Sequence, residues 1–156
     1  MGRRPKDLAA RIRERVAFYR LRETESLSTA ELRVVRPHER DRGTAQTPGM
    51  QREAGVAAST VGAQKLWVGY VTMAPGAKSG AHHHGPVESS IYIISGRARF
   101  RFGAKLEQSV EAGPGDFVYV PPEAVHQEIN VDPDQPITMI VARDGQENVV
   151  VNVEVE

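Results

Sequence analysis

The sequence contains no cysteine, which excludes disulfides, thiolate metal ligands and cysteine nucleophiles. No segment approaches the ~20 consecutive apolar residues that a membrane-spanning helix needs. The N-terminal residues also lack the apolar run that follows the charges of a secretory signal. We therefore expect a cytoplasmic protein without a membrane partner, in which any metal ligand is an imidazole nitrogen or an oxygen.

The formal net charge is zero, but the charge is unevenly distributed along the chain. Residues 1–42 contain 12 Lys and Arg against 7 Asp and Glu, whereas residues 43–156 contain 8 against 13. A basic segment can attract nucleic acid or a membrane surface. Here the basic residues alternate with acidic ones, and no aromatic platform for bases accompanies them. We expect no nucleic-acid partner, and interpret the segment as a solvated helix that docks on the acidic remainder or on a second subunit.

The N-terminal segment has the pattern of one amphipathic helix. Between residues 5 and 22, apolar side chains recur at helical spacing and five arginines lie among the remaining positions. The apolar residues are Leu8, Ile12, Val16 and Tyr19. The chain of 156 residues is long enough for one domain with a single core. We predict an N-terminal helical extension over residues 1–30 and a β-barrel domain over residues 31–156.

From about residue 43 the sequence consists of short apolar or alternating runs separated by Gly, Pro and Asn. This texture is typical of an all-β protein. Roughly ten short strands at this spacing favour a closed barrel or a double-sheet jelly roll, because both limit exposed strand edges. The predicted strands cover residues 32–36, 51–59, 65–73, 82–84, 90–94, 97–102, 106–111, 117–120, 125–131, 137–142 and 149–155.

Three histidines and one glutamate form the candidate site. In an extended strand, side chains two residues apart share a face, so His82 and His84 can point to one place while His83 points away. Glu88 can add a carboxylate. His126 lies 42 residues after His84, a distance over which a barrel strand can return to face the first pair. Three imidazoles and a carboxylate suit one divalent transition metal per chain, namely Fe, Mn, Ni, Zn or Cu.

The spacing of these residues resembles the two signatures of the cupin superfamily, G-x5-H-x-H-x3,4-E-x6-G and G-x5-P-x-G-x2-H-x3-N. The resemblance spans about residues 32–155 and implies a double-stranded β-helix, or jelly-roll barrel, with the metal inside one mouth. It also implies that a homodimer is a common assembly. The first signature is matched by Gly76, His82, His84, Glu88 and Gly96, and the second by Gly115, Pro121, His126 and Asn130.

The sequence departs from these signatures at two positions. Seven residues instead of six separate Glu88 from Gly96, so Ser89 stands at the family's usual distance from that glycine. Either a bulge lets Glu88 bind the metal directly, or Glu88 points away and water completes a three-histidine site. The second departure is Glu123, which replaces a glycine, and a left-handed backbone there would disfavour glutamate.

The resemblance and the ligand set imply a metal-dependent enzyme that acts on a small oxygen-bearing organic substrate. Dioxygenase-type chemistry, which would make the protein an oxidoreductase, and isomerase or lyase chemistry are both compatible with such a site. Glu88 would be a metal ligand and also a catalytic group that moves a proton. The alternatives are a non-catalytic sensor or binding protein that uses the same barrel pocket for a small molecule or metal, and a barrel with a purely structural zinc.

Overall fold

The computed structural model describes residues 31–146 and 150–155. The predicted N-terminal helix over residues 1–30 lies outside the described residues, and the predicted domain boundary at residue 31 stays a prediction. A compact unit begins at Val34. Within the described residues, no helix is both long enough and apolar enough to cross a membrane.

The described residues form two five-stranded sheets in which all neighbouring strands are antiparallel. The first sheet has the strand order β1-β2-β9-β4-β7, and the second has the order β10-β3-β8-β5-β6. This architecture confirms the predicted all-β class. The strands are β1 (Met50–Val56), β2 (Trp67–Met73), β3 (His82–His83), β4 (Ser89–Ser95), β5 (Ala98–Phe102), β6 (Gln108–Ala112), β7 (Phe117–Val120), β8 (His126–Asn130), β9 (Ile137–Arg143) and β10 (Val151–Asn152), and the helical pieces are a 3-10 turn (Pro37–Glu39) and α1 (Ala58–Val61).

The core lies between the two sheets and is built by alternation along the strands. In β2 and β9 every second residue is buried, because successive side chains in a strand point to opposite faces. The register joins these buried positions across the sheet, since Met139 pairs with Val71 on one side and with Ile93 on the other. Each of these buried side chains stabilises the fold by about 1.5–3 kcal/mol through removal of apolar surface from water.

Gly69 in β2 makes room for the largest core side chain. A Cβ at this position would lie 2.2 Å from the ring of Trp67, so any other residue would displace the indole. The Trp67 ring in turn lies 5.1 Å from the guanidinium of Arg143. Gly69 therefore leaves the space in which the indole lies beside this buried guanidinium.

Four strand predictions need correction. The strand predicted at residues 51–59 ends at Val56, because α1 begins at Ala58, and the strand predicted at residues 149–155 is limited to Val151–Asn152 among the described residues. The strand predicted at residues 32–36 is wrong, because this segment has no regular structure and ends at the 3-10 turn. Leu32 and Val34 are exposed, so their strand-like composition has no packing partner among the described residues. The strand predicted from residue 106 begins at Gln108, because Leu106 adopts a positive φ of 53° in the preceding turn.

Candidate metal centre

His82, His84 and His126 meet in the barrel interior. His82 on β3 pairs directly with His126 on β8, and His84 follows one residue after β3 ends. The three side chains are 0%, 5% and 3% exposed, respectively. One ring nitrogen from each lies within 4.8 Å of the other two, which places all three within reach of one ion at the usual metal–nitrogen distance of about 2.0–2.1 Å.

Backbone carbonyls orient two of these rings. The Nδ1 atom of His82 lies 2.9 Å from the carbonyl oxygen of Gly80, and that of His126 lies 2.8 Å from the carbonyl oxygen of Ala124. In the neutral tautomer Nδ1–H donates to the carbonyl, so Nε2 holds the lone pair. Both Nε2 atoms are buried and have no hydrogen-bond partner among the described residues. Two buried imidazole nitrogens with available lone pairs are suitable ligands for a divalent transition metal.

His83 points away from the cluster, as the alternation of a strand requires. It is half-buried, and its Nδ1 lies 2.9 Å from the Oε2 atom of Glu123. Glu123 has a positive φ of 59°, so the chain does take the left-handed conformation that a glycine would accommodate more easily. The contact with His83 is the interaction that the glutamate gains at this position.

Glu88 lies outside the histidine cluster. Its side chain is exposed, and its Oε1 atom accepts a hydrogen bond of 2.7 Å from the hydroxyl of Tyr119. The neighbouring Ser89 begins β4 and is the residue that faces the interior. A register irregularity does occur in β4 between Ile93 and Ser95, but it leaves Ser89 inside and Glu88 outside. Of the two alternatives left open by the sequence, the structure matches the one in which Glu88 points away.

A different carboxylate, that of Glu128, touches the cluster. Glu128 follows His126 by two residues on β8 and is 2% exposed. Its Oε1 atom lies 3.6 Å from Nε2 of His126, and its Oε2 atom lies 3.8 Å from Nε2 of His82. Oε2 also accepts a hydrogen bond of 2.7 Å from the Ser79 hydroxyl. The sequence could have indicated this residue. Side chains two residues apart in a strand share a face, so Glu128 lies on the same face as His126, just as His84 lies on the same face as His82.

The pKa values of this group of side chains depend on one another. Burial alone would raise the pKa of Glu128, but the adjacent His126 ring with its positive charge and the charge of His82 hold it well below its usual range. Burial lowers the pKa of His126, yet the adjacent carboxylate of Glu128 reverses this effect and leaves it raised. The pKa of His82 is lowered, chiefly by burial. Glu128 is therefore ionised at neutral pH.

A buried arginine borders the cluster. Arg143 ends β9, where it pairs with Trp67 of β2 on one side and with Ser89 of β4 on the other. It is 4% exposed, and its Nη2 atom lies 3.4 Å from Nε2 of His84. Burial and the charge of Arg52 lower the pKa of Arg143 to about 10, so the guanidinium remains charged at neutral pH.

Arg52 on β1 is a second buried cation. It is 3% exposed, and its Nη1 atom donates a hydrogen bond of 2.7 Å to the hydroxyl of Thr47. Burial lowers the pKa of Arg52, although the negative charge of Glu128 opposes this effect. Sequence reasoning missed both arginines, because arginine is normally exposed and composition gives no sign of an inward-facing one.

Comparisons with known proteins place this arrangement in a family. A sequence profile described as the cupin domain matches residues 69–143, a range that contains all three histidines of the cluster. No curated protein matches the chain at a significant level.

Solved structures share the fold at low sequence identity. A polyketide cyclase, RemF from Streptomyces resistomycificus, superposes with a TM-score of 0.66 and 17% identity over 81% of this chain and 88% of its own. A mutant form of Bacillus subtilis oxalate decarboxylase gives a TM-score of 0.61 with 21% identity, over 70% of this chain but only 29% of the decarboxylase.

A third neighbour, Peruvianin-I from Thevetia peruviana latex, is described as a cysteine peptidase and gives a TM-score of 0.60 with 18% identity over 72% of this chain and 73% of its own. The present chain has no cysteine, so that chemistry cannot be transferred to it. At these identities the neighbours show the fold alone, since one fold hosts many activities. The matched profile therefore identifies residues 69–143 as a cupin domain, and the solved neighbours share its fold.

Proposed function

We propose that this cupin is a metal-dependent enzyme that acts on a small oxygen-bearing organic molecule at a centre held by His82, His84 and His126. The observation that supports this most directly is the pair of buried, unpartnered Nε2 atoms of His82 and His126. Their Nδ1 atoms are already engaged by backbone carbonyls, so the lone pairs point inward in the tautomer that binds metals. All three reported structural neighbours are named as enzymes, a cyclase, a decarboxylase and a peptidase.

When bound, a divalent transition metal would supply Lewis acidity toward a substrate oxygen, or redox chemistry if the ion is iron, manganese or copper. Three neutral imidazoles satisfy only part of such an ion's coordination shell, which leaves positions for water or substrate. The chain itself contributes the shape and the charges of the surrounding interior.

The carboxylate expected from Glu88 is supplied by Glu128 in this proposal. Glu128 is buried beside two ligand histidines, whereas Glu88 is exposed and bonded to Tyr119. The lowered pKa of Glu128 makes it a weak base, so its role in this proposal is to keep a negative charge beside the ligand histidines and the positive charge of a bound ion. Isomerase or lyase chemistry and dioxygenase chemistry are both compatible with such a centre.

The experiment has two stages. Elemental analysis of protein purified without added metal identifies the ion and its stoichiometry. Turnover and O2 uptake are then measured against a panel of enols, diketones and 2-oxo acids, for the wild type and for Glu128→Gln and Glu88→Gln. We expect turnover of at least one compound, a large loss of kcat for Glu128→Gln, and little change for Glu88→Gln.

Each outcome of this experiment decides between hypotheses. O2 consumption coupled to turnover would select the dioxygenase. Metal binding without turnover of any compound would favour the non-catalytic binding or sensor protein. Unfolding on removal of the metal would favour a structural zinc. The homodimer and the cytoplasmic location stay predictions.

A further inference from the structure

Two arginines of the barrel interior have no ion-pair partner among the described residues. Within residues 31–146 and 150–155, neither Arg52 nor Arg143 has a carboxylate oxygen within 4.0 Å. The Nε atom of each is buried and has no hydrogen-bond partner in the same part of the chain. Buried guanidinium groups are normally paired, because an uncompensated charge inside a protein is unfavourable.

The interior has more positive than negative charge. Glu128 is the one buried acidic side chain of the described residues, against the two buried arginines. This carboxylate is already engaged by Ser79 and by two histidines. With the buried histidines neutral, the excess among the described residues is one positive charge, and a protonated His126 or a bound divalent ion would add to it. Such an interior favours an anion over a neutral molecule.

The unpartnered donors are concentrated beside the histidine cluster. Ser89 and Arg143 are directly paired across β4 and β9, which brings their Cβ atoms to about 4.5–5.5 Å. The Ser89 hydroxyl, like the Arg143 Nε, is buried without a hydrogen-bond partner among the described residues. Arg143 also lies 3.4 Å from a ring nitrogen of His84. The Trp67 ring, 5.1 Å from the guanidinium, holds it in this position.

We propose that Arg143 and Ser89 form an anion subsite, and that the substrate is a small organic carboxylate or enolate with a second oxygen directed toward the three histidines. The charged group would accept hydrogen bonds from Nε of Arg143 and from the Ser89 hydroxyl, which satisfies both unpartnered donors. Arg52 contributes its charge at longer range, since one of its Nη atoms is occupied by Thr47. Simple members of this class are 2-hydroxy and 2-oxo carboxylates. The assignment of the second oxygen depends on the proposed function, whereas the anion subsite does not.

The test compares charged and neutral ligands of the same shape. Isothermal titration in chloride-free buffer measures the affinity of metal-loaded and metal-free protein for lactate and lactamide, and for pyruvate and pyruvamide. The wild type should bind each carboxylate at least about tenfold more tightly than its amide, since hydrogen bonds to charged groups are the stronger ones. Arg143→Gln should reduce this preference to about twofold or less. The matched control is Arg101→Gln, because Arg101 is half-buried on β5 and its Nε donates to the backbone oxygen of Leu106; it should keep the preference.

Ser89→Ala provides a second variant in case Arg143→Gln does not fold. It removes one small side chain, and it should weaken carboxylate binding by about threefold to tenfold without changing amide binding. Equal affinity of the wild type for carboxylate and amide, no binding of either carboxylate, or full carboxylate preference in Ser89→Ala and Arg143→Gln would overturn the inference. Metal content is measured on the same samples. Metal uptake without anion preference would contradict this subsite alone, and anion preference without metal uptake would contradict the proposed function alone.

Discussion

Replacement of Glu128 by glutamine in the metal-free protein should destabilise the fold strongly. The substitution keeps the volume of the side chain but removes its charge. The hydrogen bond from Ser79 then becomes a neutral one, the attraction to His126 is lost, and the two buried arginines lose their one buried acidic neighbour among the described residues. Removal of one partner from a buried charged pair typically destabilises a protein, and we expect a loss of about 2–4 kcal/mol in the free energy of unfolding. For a chain of this size, this loss corresponds to a fall of about 5–12 °C in Tm.

The stability lost on Glu128→Gln should depend on pH. The lowered pKa of Glu128 gives a contribution that is present above its ordinary value of 4.5 and is lost as the pH falls through the folded-state value. The raised pKa of His126 gives a contribution that is present below its ordinary value of 6.5 and is lost as the pH rises through the folded-state value. Both contributions overlap between pH 4.5 and 6.5. The difference between wild type and variant should therefore be largest in that window and smaller in alkaline solution.

Urea unfolding with a chelator present, at one pH inside the window and one above it, measures this difference directly. The control is Glu111→Gln, because Glu111 is an exposed glutamate that contacts Arg97 and Arg99, and its replacement should leave the unfolding midpoint unchanged. An unchanged or more stable Glu128→Gln variant inside the window would refute the interpretation of the buried charge cluster. A loss of equal size at both pH values would refute the role given to His126.

Three further predictions concern single positions. Glu88→Gln should keep wild-type metal affinity in a chelator competition assay, because its carboxylate bonds to Tyr119 outside the cluster; a loss of about tenfold, as expected for a group that orients a ligand, would contradict this. Gly96→Ala should lose about 1–3 kcal/mol in urea unfolding, because φ is +84° and the new Cβ would lie 2.8 Å from the Pro136 oxygen; an unchanged midpoint would count against that contact. Glu123→Gly should gain about 0.5–1 kcal/mol by relieving the left-handed backbone, and a measured loss would show that the His83 contact dominates.

Local alternation made much of the fold and the histidine pair predictable. The β2 and β9 strands were expected from their β-branched and alternating residues, and both occur with ends that differ by at most two residues. The same period of two placed His82 and His84 on one face. These features can be predicted from the sequence because the alternation depends on residues that are close together in the chain and not on distant contacts.

The remaining features depend on contacts that a linear pattern does not contain. Whether Glu88 or Ser89 faces inward is decided by the register of β4 against β9, including the irregularity near Ser95. Glu128 is buried because Ser79, 49 residues earlier, lies across from it and donates to its carboxylate. Arg143 is buried because the β9 alternation extends one residue beyond the predicted strand end. The general rule that charged residues lie at the protein surface would predict the wrong location for Glu128 and Arg143.

Titration of metal-free protein with a divalent metal decides whether His82, His84 and His126 hold one metal ion. Stoichiometry and affinity are measured by calorimetry for the wild type, His84→Ala and His83→Ala. We expect one ion per chain for the wild type and for His83→Ala, whose side chain contacts Glu123 instead of the cluster. We expect no specific binding for His84→Ala. Absence of binding to the wild type, or equal losses in the two variants, would contradict the assignment of these histidines as ligands.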